Sequence, residues 1–400
     1  MKQFKSFLFF LFISNACFFH LTLAAQSIVR AAIDFGSGAV KMQVGMVDIE
    51  NNCIHGTPLL TKQISLGLTE DVAAHAGYIS AEMEQKALDV LRDFKGAALV
   101  AAAREGQPLV HFTAIATAVF RAASNGKDLL NKIEQQLGIR FQILPQEEEG
   151  KLGFLTAAAL FADTPEAALV AWDSGNGSFQ ITAREEGQYV VYQGPLGHGT
   201  VRTVLSKDIR NGPILQTYES GNPVLPTEAV ELIQKIHGFL PPIPKWLHAR
   251  LRTEKTVIAT FGGGESIFAL VAYALAGLKG AKEVGKQTVI SVLDVQRVIE
   301  IYLEQRDEVF DAAGVHRKTL TSAVYLATLM EYFGIDKIHF KESIGNAPGM
   351  LVDPQLWKEG VSTTFPAREP EFCINEEAFL LLQQTDRHPP RPLLSLFPRI

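Results

Sequence analysis

The chain has 400 residues, of which 47% are hydrophobic and 20% charged, the composition of a soluble globular protein of about two domains. Its formal net charge of −6 excludes general nucleic-acid binding, which needs a basic surface, but leaves room for a local basic pocket.

The N-terminus reads as an export signal. Lys2 and Lys5 precede an apolar run from Phe7 to Leu23, and Ala24-Ala25-Gln26 supplies the small-residue end. Residues 1–25 are therefore expected to be a signal peptide cleaved after Ala24 or Ala25, leaving a periplasmic or secreted protein with no stable membrane insertion. A retained anchor is the alternative, since a stretch of roughly 18 residues just spans a bilayer; Asn15 and His20 interrupt this one. Phe268 to Leu278 is apolar but too short to span, and reads as a buried helix. Cys53 and Cys373 are the cysteines left after cleavage. An oxidising compartment permits a bridge between them, and two separate thiols are the simpler reading.

Residues 28–150 read as strands (Val29–Ile33, Val40–Val47, Thr57–Ile64), a helix (Ser80–Lys95), a strand (Leu109–Ala114), a helix (Asn125–Leu137) and a strand at 140–144. Ser80 is a suitable N-cap, acidic Glu82 and Glu84 suit the helix dipole, and Gly138 stops the second helix. The same grammar follows from residue 151: strands at 168–173, 178–183 and Tyr189–Gln193, then helices, with Leu293 to Phe310 as one strongly helical run. Leu240-Pro241-Pro242-Ile243-Pro244 marks a loop, and prolines after Asn346 mark the end of the folded core near residue 352. Residues 353–400 read as a Pro-rich tail, extended or partly disordered.

Two segments 139 residues apart read alike. Ala32-Ile33-Asp34-Phe35-Gly36-Ser37-Gly38 and Ala171-Trp172-Asp173-Ser174-Gly175-Asn176-Gly177-Ser178 are each an apolar strand ending in Asp, then a glycine-rich turn, then a second strand. Glycines let a backbone turn tightly and bring its N–H groups close to an anion, and an Asp at the strand end can hold a metal or orient water. One such turn is an ordinary hairpin; two imply halves facing each other across a phosphate. Walker and Rossmann loops open helices, whereas here Val40, Met42, Val44 and Met46 alternate with Lys41, Gln43 and Gly45 as in a strand. A strand–turn–strand phosphate loop used twice resembles the actin-like ATPase and sugar-kinase superfamily. That resemblance implies an α/β fold of two actin-like (RNase H-like) lobes, residues 28–150 and 151–352, with a phosphate-binding cleft between them.

Further segments narrow the resemblance. Thr117-Ala118-Val119-Phe120-Arg121-Ala122-Ala123-Ser124-Asn125 resembles the "ATSALREAxN" segment of the exopolyphosphatase / guanosine pentaphosphate phosphohydrolase (Ppx/GppA) family. Ile143-Leu144-Pro145-Gln146-Glu147-Glu148-Glu149-Gly150-Lys151 resembles that family's "ILSGEEEAR", and residues 173–180 its "DIGGGSTE". Gly194-Pro195-Leu196-Gly197 with Val201-Arg202 is similar to "LGAVRL", and Phe261-Gly262-Gly263-Gly264 to the third glycine-rich loop. Order and spacing match over about residues 28–350.

The resemblance implies an exported hydrolase that releases terminal phosphate from polyphosphate or a related phosphoanhydride. Glu149 would be the catalytic base, with Asp34 and Asp173 catalytic through Mg²⁺ and water, and Asp34, Asp173 and Glu148 the metal ligands. Like charges at Glu147 and Glu148 are expected to raise the pKa of Glu149, which favours proton acceptance. Gly36, Ser37, Gly175, Asn176, Gly177, Ser178 and Gly263 would bind phosphate; Lys41 and Arg121 are basic candidates, each with a structural alternative. Export disfavours a guanosine pentaphosphate substrate and an ATP-dependent sugar kinase. The partner expected is thus the phosphoanhydride itself, with no nucleic acid, and homodimerisation is left open. This sequence departs from the family at Gln180, where a carboxylate is usual, at Asn176, usually glycine, and at Gly38-Ala39, usually a polar pair. These departures motivate a second reading: a non-catalytic member that binds polyphosphate or nucleotide.

Overall fold

The structure is a computed structural model that describes residues 27–216, 218–278, 288–358 and 360–367. The expected signal peptide, Cys373 and residues 368–400 lie outside the described residues.

The first lobe begins with the strands β1 (Ser27–Phe35), β2 (Ala39–Asp48) and β3 (Cys53–Ser65), then the helices α1 (Leu68–Ala74) and α2 (Ala81–Arg104). It continues through β4 (Leu109–Ala116), α3 (Ala118–Ala122), α4 (Gly126–Leu137) and β5 (Phe141–Ile143). Strands β1, β2 and β3 form an antiparallel meander, β4 adds parallel to β1, and β5 adds parallel to β4. Ser80 caps α2 as expected, its Oγ accepting from the Met83 N–H at 3.2 Å.

Helix α5 (Gln146–Leu160) leads into β6 (Leu169–Ser174), β7 (Phe179–Glu185) and β8 (Gln188–Gly194), again an antiparallel meander. After α6 (His198–Thr203), α7 (Pro226–Phe239) and α8 (Lys245–Leu251), β9 (Val257–Gly262) adds parallel to β6. The chain then runs α9 (Ile267–Leu278), β10 (Thr288–Ser291), α10 (Val292–Tyr302), α11 (Asp307–Ala313), α12 (Thr319–Phe333) and β11 (Lys337–Glu342), with β11 parallel to β9. The two sheets thus repeat one topology, a three-strand meander extended by parallel strands on the side of its first strand. This is the doubled RNase H-like, actin-like α/β arrangement that the paired turns implied.

Each lobe has its own apolar core, one around Phe35, Phe112 and Phe120, the other around Trp172, Phe179 and Phe333. A smaller core of Ala32, Ile115, Leu152, Met350 and Leu351 joins the first sheet to α5 and the C-terminal helix α13 (Ala347–Val352). α9 is buried along most of its length, as its composition implied. Among the described residues no helix is long and apolar enough to cross a membrane.

Three expectations about organisation need correction. A lobe boundary at residue 150 would cut α5, which packs on β6, β7 and β8 and belongs with the second sheet. Gly150 makes that approach close: a Cβ there would lie 2.6 Å from Val191 Cγ1 and 2.8 Å from Thr182 Oγ1. The run from Leu293 to Phe310 is two helices rather than one, because Glu304 takes a positive φ of 62° and donates its N–H to the Val224 carbonyl at 3.0 Å. The folded core also continues past residue 352. The chain returns to the first lobe, where Trp357 lies under the Arg30 guanidinium (4.5 Å) and β12 (Thr363–Pro366) pairs with the edge of β4. An open strand edge offers unpaired N–H and C=O groups, and Phe365 buries its ring against Phe112, so prolines nearby do not prevent pairing.

Candidate active site

Both turns sit at the inner ends of their sheets. Gly36 N–H donates to the Ala39 carbonyl at 3.0 Å, and Gly175 N–H to the Ser178 carbonyl at 2.9 Å, so each is a tight hairpin. Register then pairs Asp34 with Lys41 and Asp173 with Gln180, the equivalent positions of the two hairpins. The turns touch across the cleft. A Cβ on Gly177 would lie 3.1 Å from Ser37 Oγ and 3.2 Å from Ala118 Cβ, and one on Gly38 would lie 3.0 Å from Asn176 Cβ. A side chain at either glycine would have to push its neighbour aside by a few tenths of an ångström, so glycine suits this close approach.

Around this contact is a cavity of about 120 Å³. Asp34, Glu149 and Asp173 line it, with Lys41, Gly36, Ser37, the second turn from Gly175 to Ser178, and Gly263. Gly263 approaches from the third glycine-rich loop, where a Cβ would fall 2.6 Å from Gln63 Oε1 on β3.

Two of the expected site residues are elsewhere. Glu148 is exposed and faces Lys151 at 3.5 Å, away from the cavity, on the solvent side of α5, whereas the next position, Glu149, is buried. Arg121 does not line the cavity either. Its Nη1 donates to Glu149 Oε2 at 2.9 Å and to the Leu144 carbonyl at 2.7 Å, so it holds the carboxylate rather than a phosphate.

Glu149 lies in the first turn of α5 and is 7% exposed. Burial pushes its pKa up to about 7, the Asp173 and Asp34 carboxylates add to the rise, and Arg121 opposes it. Glu147 and Glu148 are exposed and are not the cause, contrary to the expectation from the acidic run. Burial also raises the pKa of Asp173, with Asp34 adding to it; an Asn346 hydrogen bond and the Lys41 ammonium work against the rise.

Several cavity residues carry no local sequence signal. Asn346 donates from Nδ2 to Asp173 Oδ2 at 2.9 Å, and its backbone N–H faces Asp34 Oδ2 at 3.4 Å. It thereby links the two carboxylates from a loop 173 residues downstream of Asp173. Glu70, His198, Glu265 and Lys318 also line the cavity. Lys318 pairs with Glu265 at 3.2 Å, and buried His198 lies 3.0 Å from Ser322 Oγ, its pKa held well below the usual range by burial and by Arg202.

Five carboxylates and two ammonium groups line the cavity, so an incoming phosphate needs added positive charge. No cluster of three metal-ligating side chains exists among the described residues. Asp34 and Asp173, converging from the two hairpins, do fit Mg²⁺, which takes one or two carboxylates and completes its shell with waters and phosphate oxygens. Gln180 is buried, donates to Ser178 Oγ at 3.3 Å and does not line the cavity.

Known proteins share this architecture. A Ppx/GppA family member from Aquifex aeolicus superposes with a TM-score of 0.60 at 17% identity, covering 83% of this chain and 98% of that one. An exopolyphosphatase from Cytophaga hutchinsonii gives 0.60 at 17%, covering 82% and 98%. In sequence, Exopolyphosphatase 1 of Mycobacterium leprae is 25% identical over 170 residues, 40% of this chain and 48% of that protein. The chain spans about half the length of the curated relatives it matches. The model of the Ppx/GppA phosphatase family matches residues 44–352, most of the chain, which includes the second hairpin turn and begins after the first. With the doubled meander and the acidic cleft already described, the match establishes that this chain belongs to the Ppx/GppA phosphatase family.

Proposed function

We propose that the protein is a phosphohydrolase that releases the terminal phosphate of polyphosphate or a related phosphoanhydride by direct attack of water, with Glu149 as general base. One observation carries this reading: a buried carboxylate whose pKa is pushed up to about 7 lines the cleft where both hairpin turns meet. A base of that pKa is about half ionised at neutral pH and retains real proton affinity. Arg121 orients the carboxylate from behind, and the Leu144 carbonyl fixes Arg121 in turn. Asp34 and Asp173 would hold Mg²⁺ with the substrate's oxygens. Bound there, the ion would offset charge on the transferring phosphoryl group. Backbone N–H groups of the two turns would position the phosphate.

The second reading, a binder without turnover, draws on Gln180 standing opposite Asp173 in place of a carboxylate. Phosphate release from polyphosphate, tripolyphosphate and nucleoside triphosphates, with and without Mg²⁺, separates the two. Mg²⁺-dependent release is expected, and tight binding with no release from any of them would favour the binder.

Export is part of the proposal and rests on the N-terminal pattern. A fusion of residues 1–30 to a reporter active only outside the cytoplasm should be active. A reporter that stays silent and cytoplasmic would remove export from the reading.

A further inference from the structure

The loop that leads into α13 meets both acidic hairpins. Gly345 takes a positive φ of 62°, and a Cβ on it would lie 2.8 Å from Lys41 Nζ and 3.0 Å from Asp34 Oδ2, so a side chain there would be both strained and crowded. Asn346 follows and is 3% exposed. Its backbone N–H faces Asp34 Oδ2 of the first lobe at 3.4 Å, and its Nδ2 donates to Asp173 Oδ2 of the second at 2.9 Å. The residue is itself held in place. Its backbone carbonyl accepts from the Met350 N–H of α13 at 3.0 Å and from Thr156 Oγ1 of α5 at 3.4 Å. One atom stands out. Asn346 Oδ1 is buried and has no hydrogen-bond partner among the described residues, a condition that costs about 1–3 kcal/mol. Turning the amide over would set this oxygen against the Asp173 carboxylate, acceptor against acceptor. The charge-assisted bond to Asp173 therefore fixes the amide and leaves its carbonyl orphaned.

We propose that Asn346 is the positioning residue of the acidic pair: its carboxamide fixes Asp173 relative to Asp34, and so sets the affinity of the cleft for a divalent cation. The inference rests on the reading of Asp34 and Asp173 as Mg²⁺ ligands and adds the residue that governs their geometry. Mg²⁺ tolerates little departure from octahedral geometry and takes few protein carboxylates, so the placing of two of them matters. These two stand on β1 and β6, strands of different sheets, so their separation is set between elements rather than within either hairpin. Asn346 reaches both from a third element. A donor to a ligating carboxylate also limits its rotation, and loss of such a partner typically costs about 10–100-fold in metal affinity. Asn346 does not join the lobes alone. The buried pair of Glu70 with Arg202, at 3.1 Å, bridges them too, so variants at Asn346 should fold.

The test is equilibrium binding of Mn²⁺, a spectroscopic stand-in for Mg²⁺, to the full chain without substrate at pH 8, followed by electron paramagnetic resonance of the free ion. Asn346→Leu keeps the bulk and removes the donor, whereas Asn346→Ala removes both. Each should weaken Mn²⁺ binding by about 10–100-fold, and the two should agree within about threefold while circular dichroism shows a folded chain. Unchanged affinity in both, or a loss in only one of them, would make the role of Asn346 one of packing and overturn the inference. So would loss of the fold in both. Asp173→Asn supplies the reference and should weaken Mn²⁺ at least as far. If it does not, or if the wild-type chain binds no Mn²⁺, the Mg²⁺ reading falls and the inference with it. If Asp173→Asn weakens binding and the Asn346 variants bind like wild type, the inference alone falls. Should Asn346 behave as expected in a chain that releases no phosphate, the hydrolase reading falls and the positioning role stands.

Discussion

Replacing Glu149 with Gln is expected to slow phosphate release by about 10²–10⁴-fold, the usual cost of removing a general base. The amide can still accept a hydrogen bond from Arg121, so substrate affinity should change little. Initial-rate kinetics on tripolyphosphate will show the loss in kcat rather than in KM, and an unchanged rate would remove Glu149 from the mechanism. The wild-type rate should rise with pH along an acid limb set by Glu149, whose pKa burial raises, because the base works only when ionised. In the variant that limb should disappear.

Stability should move the opposite way. The pKa of Glu149 is raised on folding from 4.5 to about 7, so the folded state favours the protonated acid. The stability that follows from it is complete below pH 4.5 and is lost as pH rises through 7. A rise of this size amounts to roughly 3 kcal/mol. Glu149→Gln is accordingly expected to melt higher than wild type at pH 8 and at nearly the same temperature at pH 4.5. A variant less stable at pH 8 would show that Arg121 compensates the buried charge in full.

The second large effect concerns the bridge between the lobes. Arg202→Ala would leave Glu70 buried without its cation, and would strip the Gln216 and Glu219 carbonyls of their donor. Breaking one side of a buried ion pair typically costs roughly 3–5 kcal/mol, and denaturant unfolding will measure it. Adding Glu70→Leu should recover part of the loss, since the lone buried charge is then gone. A single-variant loss below about 1 kcal/mol, the range of exposed pairs, would mean that solvent reaches the pair.

What the sequence by itself determined is local and repeated. Period-2 alternation from Val40 to Met46, and the Asp-to-glycine turns at Asp34 and Asp173, specified both hairpins and their kinship. Strand pattern and turn chemistry act between near neighbours, so they are written in short stretches of chain. Family motifs added Glu149, which the fold indeed delivers to the cleft. The tertiary structure alone decided which of the neighbouring glutamates is buried, and it selected Glu149 because α5 turns that position inward while Glu148 meets solvent and Lys151. It also gave Arg121 to Glu149, drew Asn346 onto Asp173, and set Glu70 against Arg202 across 132 residues of chain. Each of these partners is chosen by the approach of two sheets rather than by any pattern within one. The return of β12 to β4 has the same origin: an open strand edge and the packing of the half-buried Phe365 ring on Phe112 decide it, and neither is visible in a proline-rich stretch read on its own.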